Sequence, residues 1–144
     1  SLPAALGVTR LVVVATRATA SSSELIVNGL RPYMDVAIIG DRTYGKPVGQ
    51  YLLPFCDKVL VPVSFSMRNG ANQGDYFEGL PATCTAADDL DHALGDPAEA
   101  SLAEALFYVQ HQRCSVPQPA AAMSPASARL PLRATGWQSI LNAY

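Results

Sequence analysis

The chain has 144 residues, 49% of them hydrophobic, with 10 Lys and Arg against 12 Asp and Glu. That length and apolar content suit one buried core rather than two domains. A formal charge of -2, with the arginines scattered along the chain, gives no electrostatic footprint for nucleic acid. The longest apolar runs fall far short of the ~18 to 20 residues that cross a bilayer.

In chain order, Val8 to Thr16 holds the run Leu11, Val12, Val13, Val14 and Ala15, which suits a strand buried on both faces of a parallel sheet. Ser21, Ser22, Ser23 and Glu24 follow, and Ser-x-x-Glu is the capping-box pattern that opens a helix. The helix is predicted to run about two turns to Leu30, where Pro32 biases Arg31 out of helical geometry. Asp35 to Ile39 gives a second apolar strand stopped by Gly40. The separation of the two strands allows a right-handed crossover and parallel pairing. The turns Arg17 to Ser23 and Asp41 to Gly45 then open at the same carboxyl edge of the sheet, the edge at which open α/β sheets build their sites.

Val48 to Phe55 and Lys58 to Phe65 read as a hairpin turning at Cys56 and Asp57, with Val59, Val61, Val63 and Phe65 in alternation. Ser66 to Pro81, rich in Asn and Gly, reads as a long loop of the kind that often carries function. Asp96, Pro97 and Glu99 predict a helix start with Asp96 as cap, and Ala98, Leu102, Ala105, Leu106 and Val109 form its apolar face to about Gln110. From Ser115 to Pro131 the composition shifts to Ala, Pro and Ser, the mark of a linker. Trp137, Ile140, Leu141 and Tyr144 beyond it are apolar enough to dock. The expected organisation is therefore a folded domain over residues 1–114 and an Ala/Pro/Ser-rich linker and C-terminal tail over 115–144.

Cys56, Cys84 and Cys114 lack the paired short spacings of a zinc site, and His92 and His111 add no ligand pattern, so no metal and no cofactor is expected. Cys56 and Cys84 could pair in an exported protein, leaving Cys114 odd; buried free thiols are the alternative. No leader pattern opens the chain, so any export signal is expected upstream of it.

The chemistry lies in two segments taken together. Ser21 alone is explained by capping, and Lys46, one of two lysines, would alone be a solvated loop residue. Ala18-Thr19-Ala20-Ser21-Ser22-Ser23-Glu24-Leu25 followed by Ile39-Gly40-Asp41-Arg42-Thr43-Tyr44-Gly45-Lys46 closely resembles the Ser/Lys core of the S41 family, the carboxy-terminal processing or tail-specific proteases. The resemblance covers roughly residues 8 to 110 and extends through Asp75, Tyr76, Gly79, Pro81 and Asp96. It places the nucleophile on Ser21 and the base on Lys46, with the family's spacing kept. It also places a lysine-orienting glutamine on Gln50. Thr19, Ser22 and Pro47 depart from the family pattern. The family's upstream Asn/Gly-rich segment, which supplies an oxyanion amide, and its usual PDZ domain have no counterpart here, so the chain resembles a fragment of the enzyme.

The resemblance implies an α/β, ClpP/crotonase-like sheet-and-helix domain, the catalytic core of an S41 peptidase. It implies a serine endopeptidase acting on polypeptide substrates through an acyl-enzyme, in the periplasm or cell envelope. Residue chemistry agrees: a serine hydroxyl attacks an amide only when a base takes its proton, and lysine is one such base. Lysine serves only when neutral, which asks for burial or a neighbouring like charge, and Tyr44, Pro47 and Val48 are apolar neighbours. The helix beginning near Ser22 aims its free amides at the nucleophile, making the Ser22 amide an oxyanion donor. The competing expectation is an inactive S41-like module that binds peptide or apolar ligands in the same cleft. An open sheet edge would invite pairing between copies, as in a homo-oligomer.

Overall fold

The computed structural model describes residues 6–117. Its elements are β1 (Arg10–Ala15), α1 (Ser22–Leu30), β2 (Asp35–Gly40), β3 (Val48–Gln50), β4 (Leu53–Phe55), β5 (Lys58–Leu60), β6 (Val63–Ser66), β7 (Cys84–Thr85) and α2 (Ala100–His111).

The apolar runs form a parallel pair as their composition predicts. β1 and β2 are in register from Arg10 opposite Asp35 to Ala15 opposite Gly40. β7 adds to the other side of β2, also parallel, giving the order β1-β2-β7. This third strand is two residues long and lies in a stretch with no apolar run, so nothing in the pattern marks it.

Successive residues of a strand face opposite sides of a sheet, and Ile38 and Ile39, both fully buried, divide the core accordingly. On one face Ile38 joins Ala15, Val27 of α1, Tyr76 and Leu80. On the other Ile39 packs with Cys84 and Ala105 of α2. α1 covers the Ile38 face and α2 the Ile39 face, so β2 is buried from Ala37 to Gly40. β1 is only partly covered, and Val14 is 47% exposed, short of the expected burial on both faces.

α2 begins later than Asp96 and Pro97 suggest. The Asp96 carboxylate accepts from the Ala98 amide at 2.9 Å, and the Glu99 amide donates to the Asp96 carbonyl at 2.9 Å. These bonds close a turn over 96–99 rather than the first turn of a helix. Glu99 is itself the cap, its carboxylate accepting from the amides of Ser101 at 2.9 Å and Leu102 at 2.7 Å.

The cysteine pairing expected between Cys56 and Cys84 is corrected: Cys84 and Cys114 form the disulfide, with Cα atoms 5.5 Å apart. α2 runs across the face of the sheet that carries Ile39, so the residue just past its end meets β7. Cys56 is exposed at the turn of the hairpin, with φ 53°, and the alternative of buried free thiols fails there too. The expected linker start also moves. The Ser115 amide donates to the Glu104 carboxylate at 2.9 Å and its hydroxyl donates to the other oxygen, which fastens Ser115 to α2. The remainder of the expected linker and tail, from residue 118 through Trp137 to Tyr144, lies outside the described residues.

The hairpin forms with its turn at Cys56 and Asp57. β3 pairs with β6 and β4 with β5, both antiparallel. Phe65 lies across Gly49, where a Cβ would come within 2.1 Å of its ring, and its ring centroid is 5.1 Å from that of Tyr51.

Candidate active site

Two chain turns meet at the carboxyl edge of the β1-β2 pair, and the backbone brings them there. Gly40 closes β2 against the end of β1: its φ is 116°, and a Cβ would fall 2.2 Å from the Ala15 carbonyl oxygen. The Asp41 amide donates to that carbonyl at 2.9 Å. Beyond it, the Tyr44 amide donates to the Thr19 carbonyl at 2.8 Å, and the Arg17 guanidinium pairs with the Asp41 carboxylate. The turn after β1 and the turn after β2 are thus laced together at three levels.

Ser21 sits at the N-cap of α1 with φ 54° and ψ -114°. A non-glycine residue at positive φ is uncommon and is held there only by its surroundings. Here the hold is Glu24, fully buried in the first turn of α1. Its Oε2 accepts the Ser21 amide at 2.9 Å, the bond that Ser-x-x-Glu predicts. It does considerably more than cap. Oε2 also accepts the Lys46 amide at 2.8 Å, and Oε1 accepts the Gly45 amide at 2.7 Å and the Thr43 hydroxyl at 2.5 Å. Four donors on two oxygens satisfy a buried carboxylate, which would otherwise be costly to remove from water.

A second layer braces the loop that carries Lys46. The Thr43 hydroxyl accepts the Leu80 amide at 2.7 Å, and the Thr43 amide donates to the Leu80 carbonyl at 3.0 Å. Gly45, at φ 96°, lies so close to Phe77 that a Cβ would come within 2.3 Å of its carbonyl oxygen. The Tyr76 ring packs with Val27 of α1, and its hydroxyl is buried with no hydrogen-bond partner among the described residues. Burial, and then the nearby Glu24 charge, raise its pKa above the ordinary tyrosine value.

The residues singled out from the sequence are placed as follows. Ser21 and Lys46 are both half-buried, and their backbone amides converge on one oxygen of Glu24. Ser22 is exposed as the first residue of α1, where an α-helix leaves its amides without intrahelical acceptors. Gln50 lies on β3, and its carboxamide nitrogen donates to the Val61 carbonyl at 3.0 Å across the hairpin. The contributions that sequence reasoning missed are those of Glu24 beyond its cap, of Thr43, and of the Tyr76 to Leu80 segment. A glutamate followed by a Thr-x-Gly-Lys sequence carried that signal, because a buried carboxylate must collect donors from another segment.

Among the described residues, Cys84, Glu104 and Cys114 bring potential metal-ligand atoms within 4.8 Å of one another. Both sulfurs are consumed by the disulfide and Glu104 holds Ser115, so the cluster as it stands is a structural clasp.

No family model matches the chain, and no curated protein does. Among solved structures it is similar to a Bacteroides fragilis protein described as a "Putative S41 protease", with a TM-score of 0.65 and 27% sequence identity. The match covers 71% of this chain and 28% of that one, so this chain spans little more than a quarter of its neighbour's length. Over that stretch the protein has an S41-protease-like α/β fold.

Proposed function

We propose that this chain carries the nucleophile and general base of a serine endopeptidase of the carboxy-terminal processing type. The observation that supports this most directly is the convergence of the Ser21 and Lys46 amides on the single buried carboxylate of Glu24, beside a strained Ser21 backbone. A turn that held serine only as a helix cap would need neither the strain nor the second loop.

In this reading the Ser21 Oγ attacks the scissile carbonyl carbon while the Lys46 amine takes its proton. The developing oxyanion is received by the Ser22 amide at the positive end of α1. The C–N bond then breaks, Lys46 returns the proton to the departing amine, and water hydrolyses the Ser21 ester with Lys46 again accepting a proton. Gln50 orients Lys46 from β3. A second oxyanion donor comes from a further segment of the polypeptide, of which this chain supplies one part. The substrates are polypeptides, and the compartment is the cell envelope, whose oxidising side favours a disulfide such as Cys84–Cys114.

The test is labelling of the full-length polypeptide that carries this chain by a fluorophosphonate probe, with cleavage of an unstructured protein measured in parallel. Ser21→Ala is expected to abolish both, and Lys46→Ala to lower them by roughly 10²- to 10⁴-fold, the usual contribution of a general base. A folded full-length protein that neither labels nor cleaves would replace the peptidase reading with that of a module binding peptide in the same cleft.

A further inference from the structure

Cys84, Glu104 and Cys114 stand far apart in sequence, so no short cysteine spacing marks them as a group. Cys84 lies on β7, Glu104 on α2, and Cys114 just past the end of α2, where Gln112 at φ 54° turns the chain away. Their two sulfurs and a carboxylate oxygen all fall within 4.8 Å of one another. Cys84 is fully buried and Glu104 is 8% exposed. A disulfide has no proton to donate, so the Glu104 carboxylate takes its donors from the amide and hydroxyl of Ser115.

The scaffold that gathers these groups does not depend on the S–S bond. The Thr83 amide donates to the Ile38 carbonyl at 2.7 Å and the Ala86 amide to the Gly40 carbonyl at 3.0 Å, which holds β7 to β2. α2 packs Ala105 against Ile39, and Ser115 fastens the chain beside Cys114 to Glu104. The Thr83 carbonyl oxygen is 3.3 Å from the Cys114 Sγ, placed to accept the thiol proton once the sulfurs part. Reduction by a dithiol supplies two electrons and two protons, opens the disulfide to two thiols and leaves the reductant as a disulfide. Two thiols and a carboxylate then face one point. We propose that the reduced protein binds one Zn²⁺ there, through the Cys84 and Cys114 thiolates and one Glu104 oxygen, with water in the fourth position. Zinc bonds thiolate at ~2.3 Å and carboxylate at ~2.0 to 2.2 Å, so one ion spans donors up to ~4.5 Å apart and only small side-chain shifts are needed. Soft sulfur donors favour zinc over magnesium or calcium. Binding releases the two thiol protons, and the divalent charge offsets three anionic ligands in a site largely closed to water. Glu104 ligates through one oxygen while Ser115 holds the other, the outer bond that orients a metal ligand. Disulfide and metal use the same two sulfurs, so the thiol poise of the surroundings selects between them.

The test uses the 144-residue chain carrying Cys56→Ser, so that the exposed thiol contributes nothing, reduced with a phosphine that is then removed without air. Co²⁺ stands in for Zn²⁺ because its spectrum reports its ligands. One equivalent should give thiolate-to-cobalt charge-transfer absorption and the visible bands of a tetrahedral site, and Zn²⁺ should bleach both. Zn²⁺ should also raise the thermal midpoint of the reduced chain and leave that of the oxidised chain unchanged. Cys84→Ser and Cys114→Ser should each lose the tetrahedral spectrum. Glu104→Gln, with its fold checked by far-UV circular dichroism in the oxidised form, should weaken Zn²⁺ by more than the ~10- to 100-fold that losing an outer partner costs. A reduced chain that leaves Co²⁺ as the octahedral aqua ion overturns the proposal. So does cobalt bound without native circular dichroism, which would mean capture by an unfolded chain. An affinity indifferent to Glu104→Gln, or a spectrum that survives Cys84→Ser, likewise overturns it.

Discussion

The backbone amides of Ser21 and Lys46, 25 positions apart in the chain, donate to the same oxygen of Glu24 at 2.9 and 2.8 Å. One buried carboxylate thereby fixes the first turn of α1 and the loop after β2 as a single body. The bonds act on backbone, so the two side chains remain available for chemistry while their Cα positions are set. Preorganisation of this kind lets a site react without first rearranging.

That relationship makes Glu24→Gln the most informative substitution. The two residues are nearly isosteric, but a carboxamide presents two donors where the site supplies only donors, so at least one amide loses its acceptor. Hydrogen bonds to a charged group contribute about 1.5 to 3 kcal/mol each. The variant should be destabilised by about 2 to 4 kcal/mol in urea denaturation, and in the full-length polypeptide it should lose probe labelling at Ser21. A variant as stable as the parent would show that Glu24 does not hold the two turns together.

Gly45→Ala tests the brace from the other side. Gly45 is at φ 96°, and a Cβ there would meet the Phe77 carbonyl oxygen at 2.3 Å and the Gly79 amide nitrogen at 2.6 Å. Both are backbone atoms, so the clash cannot be relieved by a rotamer change. A loss of about 1 to 3 kcal/mol is expected from the backbone conformation alone, with hydrogen exchange accelerated at the Gly45 and Lys46 amides. Gly29→Ala, in a helix with nothing within 4 Å of the added atom, should be neutral or stabilising.

The disulfide closes a loop of sequence separation 30. For a loop of that size the chain-entropy model gives a stabilisation of about 3 to 4 kcal/mol. Cys84→Ser and Cys114→Ser should each lower stability by that order, whereas Cys56→Ser should leave it unchanged. Titration with a thiol reagent should find one reactive thiol in the native protein, at Cys56, and three after reduction and unfolding. Protection of Cys56, or reactivity at Cys84, would contradict the pairing.

Tyr76 supplies a pH dependence. Its phenol is buried with no partner among the described residues, and burial together with the Glu24 charge raises its pKa above the ordinary tyrosine value of 10.0. Because the folded pKa exceeds the unfolded one, the folded state retains the proton longer. The contribution is therefore complete below about pH 10 and is lost as pH rises from there through the folded value. Alkaline unfolding should begin earlier in the parent than in Tyr76→Phe. At neutral pH the same variant should be unchanged or up to about 1 kcal/mol more stable, since it removes an unsatisfied buried hydroxyl. Absorbance at 295 nm should show a late tyrosine titration in the parent that is missing from Tyr76→Phe.

Local pattern made much of this architecture readable in advance. The runs Leu11 to Ala15 and Val36 to Ile39 are apolar at every position, the mark of strands packed between layers, and such runs are readable without partners. Ser-x-x-Glu marked the start of α1 because capping involves only neighbours. The hairpin turn at Cys56 and Asp57 was likewise local. The two segments holding Ser21 and Lys46 could also be linked from sequence, through their joint resemblance to one family and the shared edge that a parallel crossover imposes.

What tertiary structure alone decided depends on contacts between distant residues. β7 is two residues long and exists as a strand only because β2 offers it an edge. Cys84 meets Cys114 because α2 crosses one sheet face and ends beside β7, a geometry no cysteine spacing encodes. α2 starts at Ala100 because the Asp96 side chain closes a turn first. Glu24, readable as a helix cap from four residues of sequence, becomes the acceptor for Thr43, Gly45 and Lys46 only when the loop after β2 folds back over α1. A capping pattern specifies the near donor; the far donors are brought by the chain, and a buried charge holds them because it has no water to turn to.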